Sequence, residues 1–104
     1  MSLRLWIQEQ AGQEYTAAIA WYESQVPGLG PRFQAAIEAV LIDIVASPLR
    51  GSLAPGIPER LGIRRRLVAD FPYAVFYLVH SDEIQVVAIG HGSRRPRYWI
   101  KRLR

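Results

Sequence analysis

The spacing of hydrophobic residues changes period along the chain. Leu3, Leu5 and Ile7 alternate with Arg4, Trp6 and Gln8, the period of two that predicts a short strand. From about Gln10 to Val26 the steps become three and four. Ala11, Tyr15, Ala18, Ile19, Tyr22 and Val26 form one apolar helical stripe, with Gln13, Glu14 and Glu23 expected to face water. Trp6, Trp21 and Tyr22 are assigned to packing. Pro27-Gly28-Leu29-Gly30-Pro31 breaks this helix, and a second follows with Phe33, Ile37, Val40, Leu41 and Ile44 on its inner face. The pair predicts an antiparallel helix hairpin.

Ser47 to Pro58 carries three prolines and two glycines and reads as an irregular surface loop. Three strands are predicted next, over 61–68, 73–79 and 84–89, with turns at Asp70-Phe71-Pro72 and His80-Ser81-Asp82-Glu83. They make an antiparallel meander. Val75, Tyr77 and Val79 alternate with Ala74, Phe76 and Leu78, and Val86 and Ala88 alternate with Val87 and Ile89, so both strands are apolar on both faces. Such strands are covered on both sides. The helix hairpin covers one face, leaving the other to the C-terminal tail, which begins at Tyr98 as a short amphipathic segment or helix, or to a partner. The expected fold is α+β in the order β-α-α-β-β-β, an antiparallel sheet on a helix hairpin, as a single domain over 1–104.

Composition narrows the function classes. At 104 residues the chain is too short for linked enzymatic modules. It has no cysteine, which excludes disulfides and thiolate metal sites, and with two histidines neither a metal nor another cofactor is expected. No stretch approaches the ~20 apolar residues of a membrane helix, and the start lacks a signal-peptide build, so a cytoplasmic protein without a membrane partner is expected.

Charge is unevenly spread. Residues 1–59 hold three arginines against six carboxylates, a net of −3, whereas residues 60–104 hold ten cations against three carboxylates, a net of +7. Twelve of the thirteen cations are arginine, whose planar fork suits bidentate contact with phosphate or carboxylate. A polyanion or an acidic protein is the expected partner. A solvated basic face serving solubility is the alternative.

Arg64, Arg65 and Arg66 lie on a predicted strand, so Arg64 and Arg66 share one face and Arg65 takes the other. Arg65 falls in phase with Leu61, Ile63 and Leu67, which predicts a partly buried guanidinium needing a carboxylate or carbonyl partner. A structural ion pair and a functional role are equally compatible with that position. His91 ends the last strand and precedes Ser93, Arg94 and Arg95. An imidazole beside guanidiniums is equipment for proton transfer at a phosphodiester, with arginine stabilising the charge of the transition state. The alternative is a histidine that caps the strand. His80, in a turn, is expected to be solvent-exposed. Tyr98 and Trp99 have the flat apolar bodies that stack on a base or anchor an interface, though such residues are more often core. Tyr98 with Arg64, Arg66, Arg95, Arg97, Lys101 and Arg102 makes up the set of candidate target-binding residues.

The β-α-α-β-β-β order, Arg64-Arg65, Phe71-Pro72-Tyr73 leading into Val75-Phe76-Tyr77, and His91-x-x-Arg94-x-Pro96-x-x-Trp99 together resemble the RelE/ParE superfamily of toxins, over nearly the whole chain. The resemblance implies the toxin of a type II toxin-antitoxin system, a plasmid stabilisation protein neutralised by a cognate antitoxin. One branch cleaves mRNA in the ribosomal A site; the other poisons DNA gyrase. Fold does not decide between them. By position, Arg65, His91 and Arg94 match the transition-state stabilisers and the acid or base of mRNA-cleaving members, so an enzyme is implied only on that branch. RelE relies on lysines and a C-terminal tyrosine, whereas here Lys101 is the sole lysine, Tyr98 stands only near the tyrosine position, and Arg95 replaces an acidic residue common in relatives. A homo-oligomer or a hetero-oligomer with the antitoxin is compatible with this reading. The competing reading is a non-toxic module that binds the antitoxin only for complex formation and operon autoregulation.

Overall fold

The computed structural model describes residues 3–92 and 96–103, with the backbone alone at 96 and 97. Strand β1, Arg4–Ile7, leads into α1, Glu9–Gln25, and α2, Leu29–Ala46. Strand β2 is the short Ser52–Leu53, followed by a 3-10 turn at Glu59–Leu61. Strands β3 (Arg64–Leu67), β4 (Tyr73–Val79) and β5 (Glu83–His91) complete one sheet, and a 3-10 segment, Pro96–Arg102, ends the chain. The sheet order is β1-β5-β4-β3-β2. All pairings are antiparallel except β1 with β5, so the first strand makes the sheet mixed.

The helices form where the stripe places them, and their junction shows why. Gly28 takes a left-handed backbone, φ 91°, as the chain reverses. Glu23 at the end of α1 then accepts hydrogen bonds from the backbone N–H of Gly28 at 3.0 Å and Gly30 at 2.9 Å, meeting the free donors at the start of α2. A Cβ at Gly30 would come within 2.9 Å of the Ile19 carbonyl, so glycine there lets the helices close. Pro31 sits in the first turn, where no intrahelical donor is lost.

The predicted loop at 47–58 is corrected in part. Ser52 and Leu53 pair with Arg65 and Arg64 at the sheet edge, and Ala54 and Ile57 are buried. Prolines punctuate the segment, but Ala54 N–H reaches the Ile63 carbonyl at 2.9 Å and seats its apolar residues against the sheet. Both faces of the sheet are apolar, as the alternation required. On one, Phe33, Ile37 and Ile44 of α2 and Ala11, Ala18 and Tyr22 of α1 pack on Val75, Tyr77, Ile84 and Val86. On the other, Trp99 packs with Ala54, Ile57, Ile63, Phe76, Val87 and Ala88. The tail therefore covers the second face.

Two of the packing tryptophans are corrected. Trp6 is 39% exposed on the outermost strand, its indole N–H donating to Glu83 at 2.8 Å, and Trp21 is 55% exposed. Glu14 and His80 depart from expectation in the other direction. Glu14 is half-buried in an ion pair, and His80 is half-buried with Nε2 at 2.8 Å from Gln85 Oε1.

Candidate functional site

The three consecutive arginines of β3 take different fates because a strand turns successive side chains to opposite faces. Arg66 reaches the helix side and pairs with Asp43 of α2. Arg64 donates from Nη1 to the Gly51 carbonyl at 2.7 Å. Both are thereby held by the fold. Arg65 faces the tail side, opposite Phe76 in register, and its buried Nε has no hydrogen-bond partner among the described residues. Among the described residues no carboxylate or carbonyl meets the Arg65 Nε.

A β-bulge sets the direction of His91. Phe76 pairs with Ala88 but Tyr77 pairs with Val86, leaving Val87 as the extra residue. Simple alternation puts Val86 with Ala88; the bulge instead turns Val86 and Ile89 to the helix side and Val87 and Ala88 to the tail side. Past the bulge, His91 pairs with Tyr73, and the two rings meet edge-on with centroids 5.4 Å apart.

Arg65 and His91 nevertheless line one cleft, because it opens at the end of the β3–β4 hairpin, where the two faces of the sheet meet. The cleft encloses about 370 Å³, and Pro55, Leu67, Phe71, Pro72 and Phe76 supply much of its wall. Pro72, Tyr73 and His91 also line an adjoining depression on the α1 side, which continues to Trp21 and Tyr22. The cleft thus combines a guanidinium whose Nε is unbonded among the described residues, one imidazole and an apolar wall. Among the described residues no group of three or more histidines or carboxylates is placed to hold a metal ion.

The tail residues are mostly engaged internally. Trp99 is fully buried, its ring centroid 5.0 Å from that of Phe76. The Tyr98 hydroxyl is buried against Gly90, so closely that a Cβ there would collide with it. Arg102 makes a two-pronged contact with Glu14, at 3.1 and 2.9 Å, donates to the Val87 carbonyl at 3.0 Å and lies over the Tyr98 ring. Lys101 is exposed. Arg94 and Arg95 lie outside the described residues, as does the side chain of Arg97.

Residue reading missed Trp21, Glu14 and the Phe71–Pro72 lip of the cleft. At about 100° per residue, Glu14 and Trp21 fall on one flank of α1, well off the stripe centred near Tyr22. That phase was the available signal for Trp21. Nothing local marks the partner of Glu14, 88 residues away.

Residues 6–96 match the family model described as the ParE toxin of the type II toxin-antitoxin system, parDE. The chain belongs to the ParE toxin family. Two solved structures share the fold of this ParE-family chain. One, titled as the chromosomal ParDE toxin-antitoxin system from P. aeruginosa, superposes with a TM-score of 0.73 at 19% identity, covering 86% of this chain and 95% of that one. The other, a mutant of E. coli toxin RelE in the free state, gives 0.72 at 18% identity and covers both chains fully. No curated protein matches the sequence significantly. Membership in the family implies an antitoxin partner for the ParE-family chain.

Proposed function

We propose that the whole chain is one toxin domain that acts in the cytoplasm, arrests growth by binding DNA gyrase, and is neutralised by its cognate antitoxin. The observation that carries this reading is how few charged groups the described cleft gathers, several of the candidate target-binding groups being already held by the fold. Arg64 and Arg66 are bonded to Gly51 and Asp43, Arg102 to Glu14 and Val87, and the Tyr98 hydroxyl is buried against Gly90. A phosphodiester cleaved without metal needs a base, an acid and several charge stabilisers converging on one phosphate. The described cleft offers Arg65 and His91. The match to the ParE family model over residues 6–96 supports the same side.

One observation favours a second reading, cleavage of mRNA on the ribosome: Arg65 and His91 do line one cleft. On that reading His91 is the general acid, with Arg65 and Arg94 as charge stabilisers.

The test is tightly controlled expression of the chain alone in bacteria, with DNA and protein synthesis pulse-labelled in the first minutes. The gyrase reading expects DNA synthesis to fall first. A fall in protein synthesis first supports the ribonuclease, and unaffected growth supports the non-toxic antitoxin-binding module.

A further inference from the structure

Strand β1 ends beside the middle of β5. The last β1 pair is Ile7 with Val86, and the Gln8 N–H donates to the Val86 carbonyl at 3.0 Å. Past that point, among the described residues, two side chains take the place of a neighbouring strand. Glu14 of α1 accepts from the Ile89 N–H at 3.0 Å, and Arg102 of the tail donates to the Val87 carbonyl at 3.0 Å. Their own two-pronged contact, at 3.1 and 2.9 Å, joins carboxylate and guanidinium into one cap over this edge. The Gln8 side chain holds the tail from behind, donating to the Arg102 carbonyl at 3.2 Å.

These bonds record the register of β5. In a regular strand the backbone groups of alternate residues face the same edge, so with Val86 facing β1 the next to face that side is Ala88, and the Ile89 N–H faces β4. The Ile89 N–H instead faces Glu14, three residues beyond Val86, which only the bulge at Val87 permits. A ladder continued without the bulge from the Tyr77–Val86 pair sets Gly90 opposite Tyr73 and turns every side chain from Ala88 onward to the other face.

We infer that the Arg102–Glu14 pair is a register latch: with the tail seated it holds the end of β5 in the bulged register and so fixes the place of His91, and when the tail lifts that hold is lost. Glu14 and Arg102 are thus positioning residues, acting on His91 through the β5 backbone. Without Arg102, Glu14 is a half-buried carboxylate lacking its cation, and it turns to water. The Ile89 N–H then loses its acceptor and the Val87 carbonyl its donor. Unmet backbone groups are unfavourable, and the regular ladder, in which the Ile89 N–H turns to β4, relieves them. The tail and the His91 end of the cleft are therefore coupled, and a ligand that favours one state of either biases the other. This holds whether the target is gyrase or mRNA.

The test is nuclear magnetic resonance of the full chain, as wild type, Arg102→Met and Arg102→Lys. Arg102→Met is expected to speed exchange of the Ile89 amide about 10- to 100-fold, to weaken the contact between the His91 and Tyr73 rings and to bring Gly90 toward Tyr73. The Ile84 and Val86 amides should exchange as in the wild type, and Arg102→Lys should restore part of the Ile89 protection. If the His91–Tyr73 contact is unchanged in Arg102→Met, β4 alone sets the register and the proposal is overturned. A rise at Ile84 and Val86 as large as at Ile89 is general loosening and overturns it too. Should Arg102→Met fail to fold, native-state exchange of the wild type in low denaturant replaces it. There Ile89 is expected to open together with Leu103, whose N–H bonds Ile100 in the tail at 3.0 Å. Ile89 opening only with Val86 overturns the latch.

Discussion

The two faces of the sheet are built from different materials. The helix face is closed by two long helices whose aromatic residues interlock, with Phe33 packed within 5.1 Å of Tyr22, Phe71 and Tyr73, centroid to centroid. The tail face is closed by the short 3-10 segment, held by Trp99 and the Arg102–Glu14 ion pair, together with Ala54 and Ile57 of the 47–58 segment. Continuous helices bury a stripe along their whole length; a short tail buries only what its anchors reach. One face therefore carries the fold, and the other is a cover whose edge leaves the Arg65 cleft open.

This contrast orders the expected effects of substitution. Phe33→Ala strikes the helix face and costs about 3–5 kcal/mol of global stability, measured by denaturant unfolding. Trp99→Ala is expected to cost less, about 2–3 kcal/mol, because the tail can release instead of enclosing a cavity. Amide exchange should then rise in the tail while α1 and α2 stay protected. Arg102→Met removes a pair whose side chains are 13% and 16% exposed. We expect about 1–2 kcal/mol, with the same localised exchange signature. If Arg102→Met instead loosens both faces equally, the separation between fold and cover is wrong. Arg66→Met, facing an Asp43 side chain 47% exposed, should cost at most about 1 kcal/mol in the same unfolding assay.

A further effect becomes visible in alkali. Burial raises the Tyr77 phenol above its ordinary 10.0, against the opposing pull of the Gly51 backbone hydrogen bond and of Arg66 and Arg64. The folded chain holds that proton more tightly than the unfolded chain, so the contribution is complete below pH 10.0 and is lost as pH rises through the folded value. Tyr77→Phe should flatten the alkaline limb of a stability-pH curve. An unchanged limb would assign the loss to other groups.

What was legible in the sequence follows the same division. Period and breaker residues set both helices, the β4–β5 hairpin and the two-sided burial of the sheet, because those depend on neighbours three or four residues away or directly alternating. Arg65's separation from Arg64 and Arg66 was legible for the same reason. The parallel seat of β1 beside β5 and the Arg102–Glu14 pair join segments far apart in the chain, and the bulge at Val87 breaks the alternation inside a hairpin; local pattern carries no mark of any of them. The bulge matters most for the site, since it rephases the end of β5 and turns His91 toward Tyr73. Trp21 was misassigned because an aromatic was equated with core without regard to its place on the helix.

The central claim, a toxin that binds its target without cutting RNA, is tested most directly by DNA supercoiling with purified gyrase, adding the wild-type chain or His91→Ala. The account predicts that both inhibit supercoiling to the same extent. Gyrase untouched by either, with ribosome-bound mRNA cut by the wild type and not by His91→Ala, would contradict it.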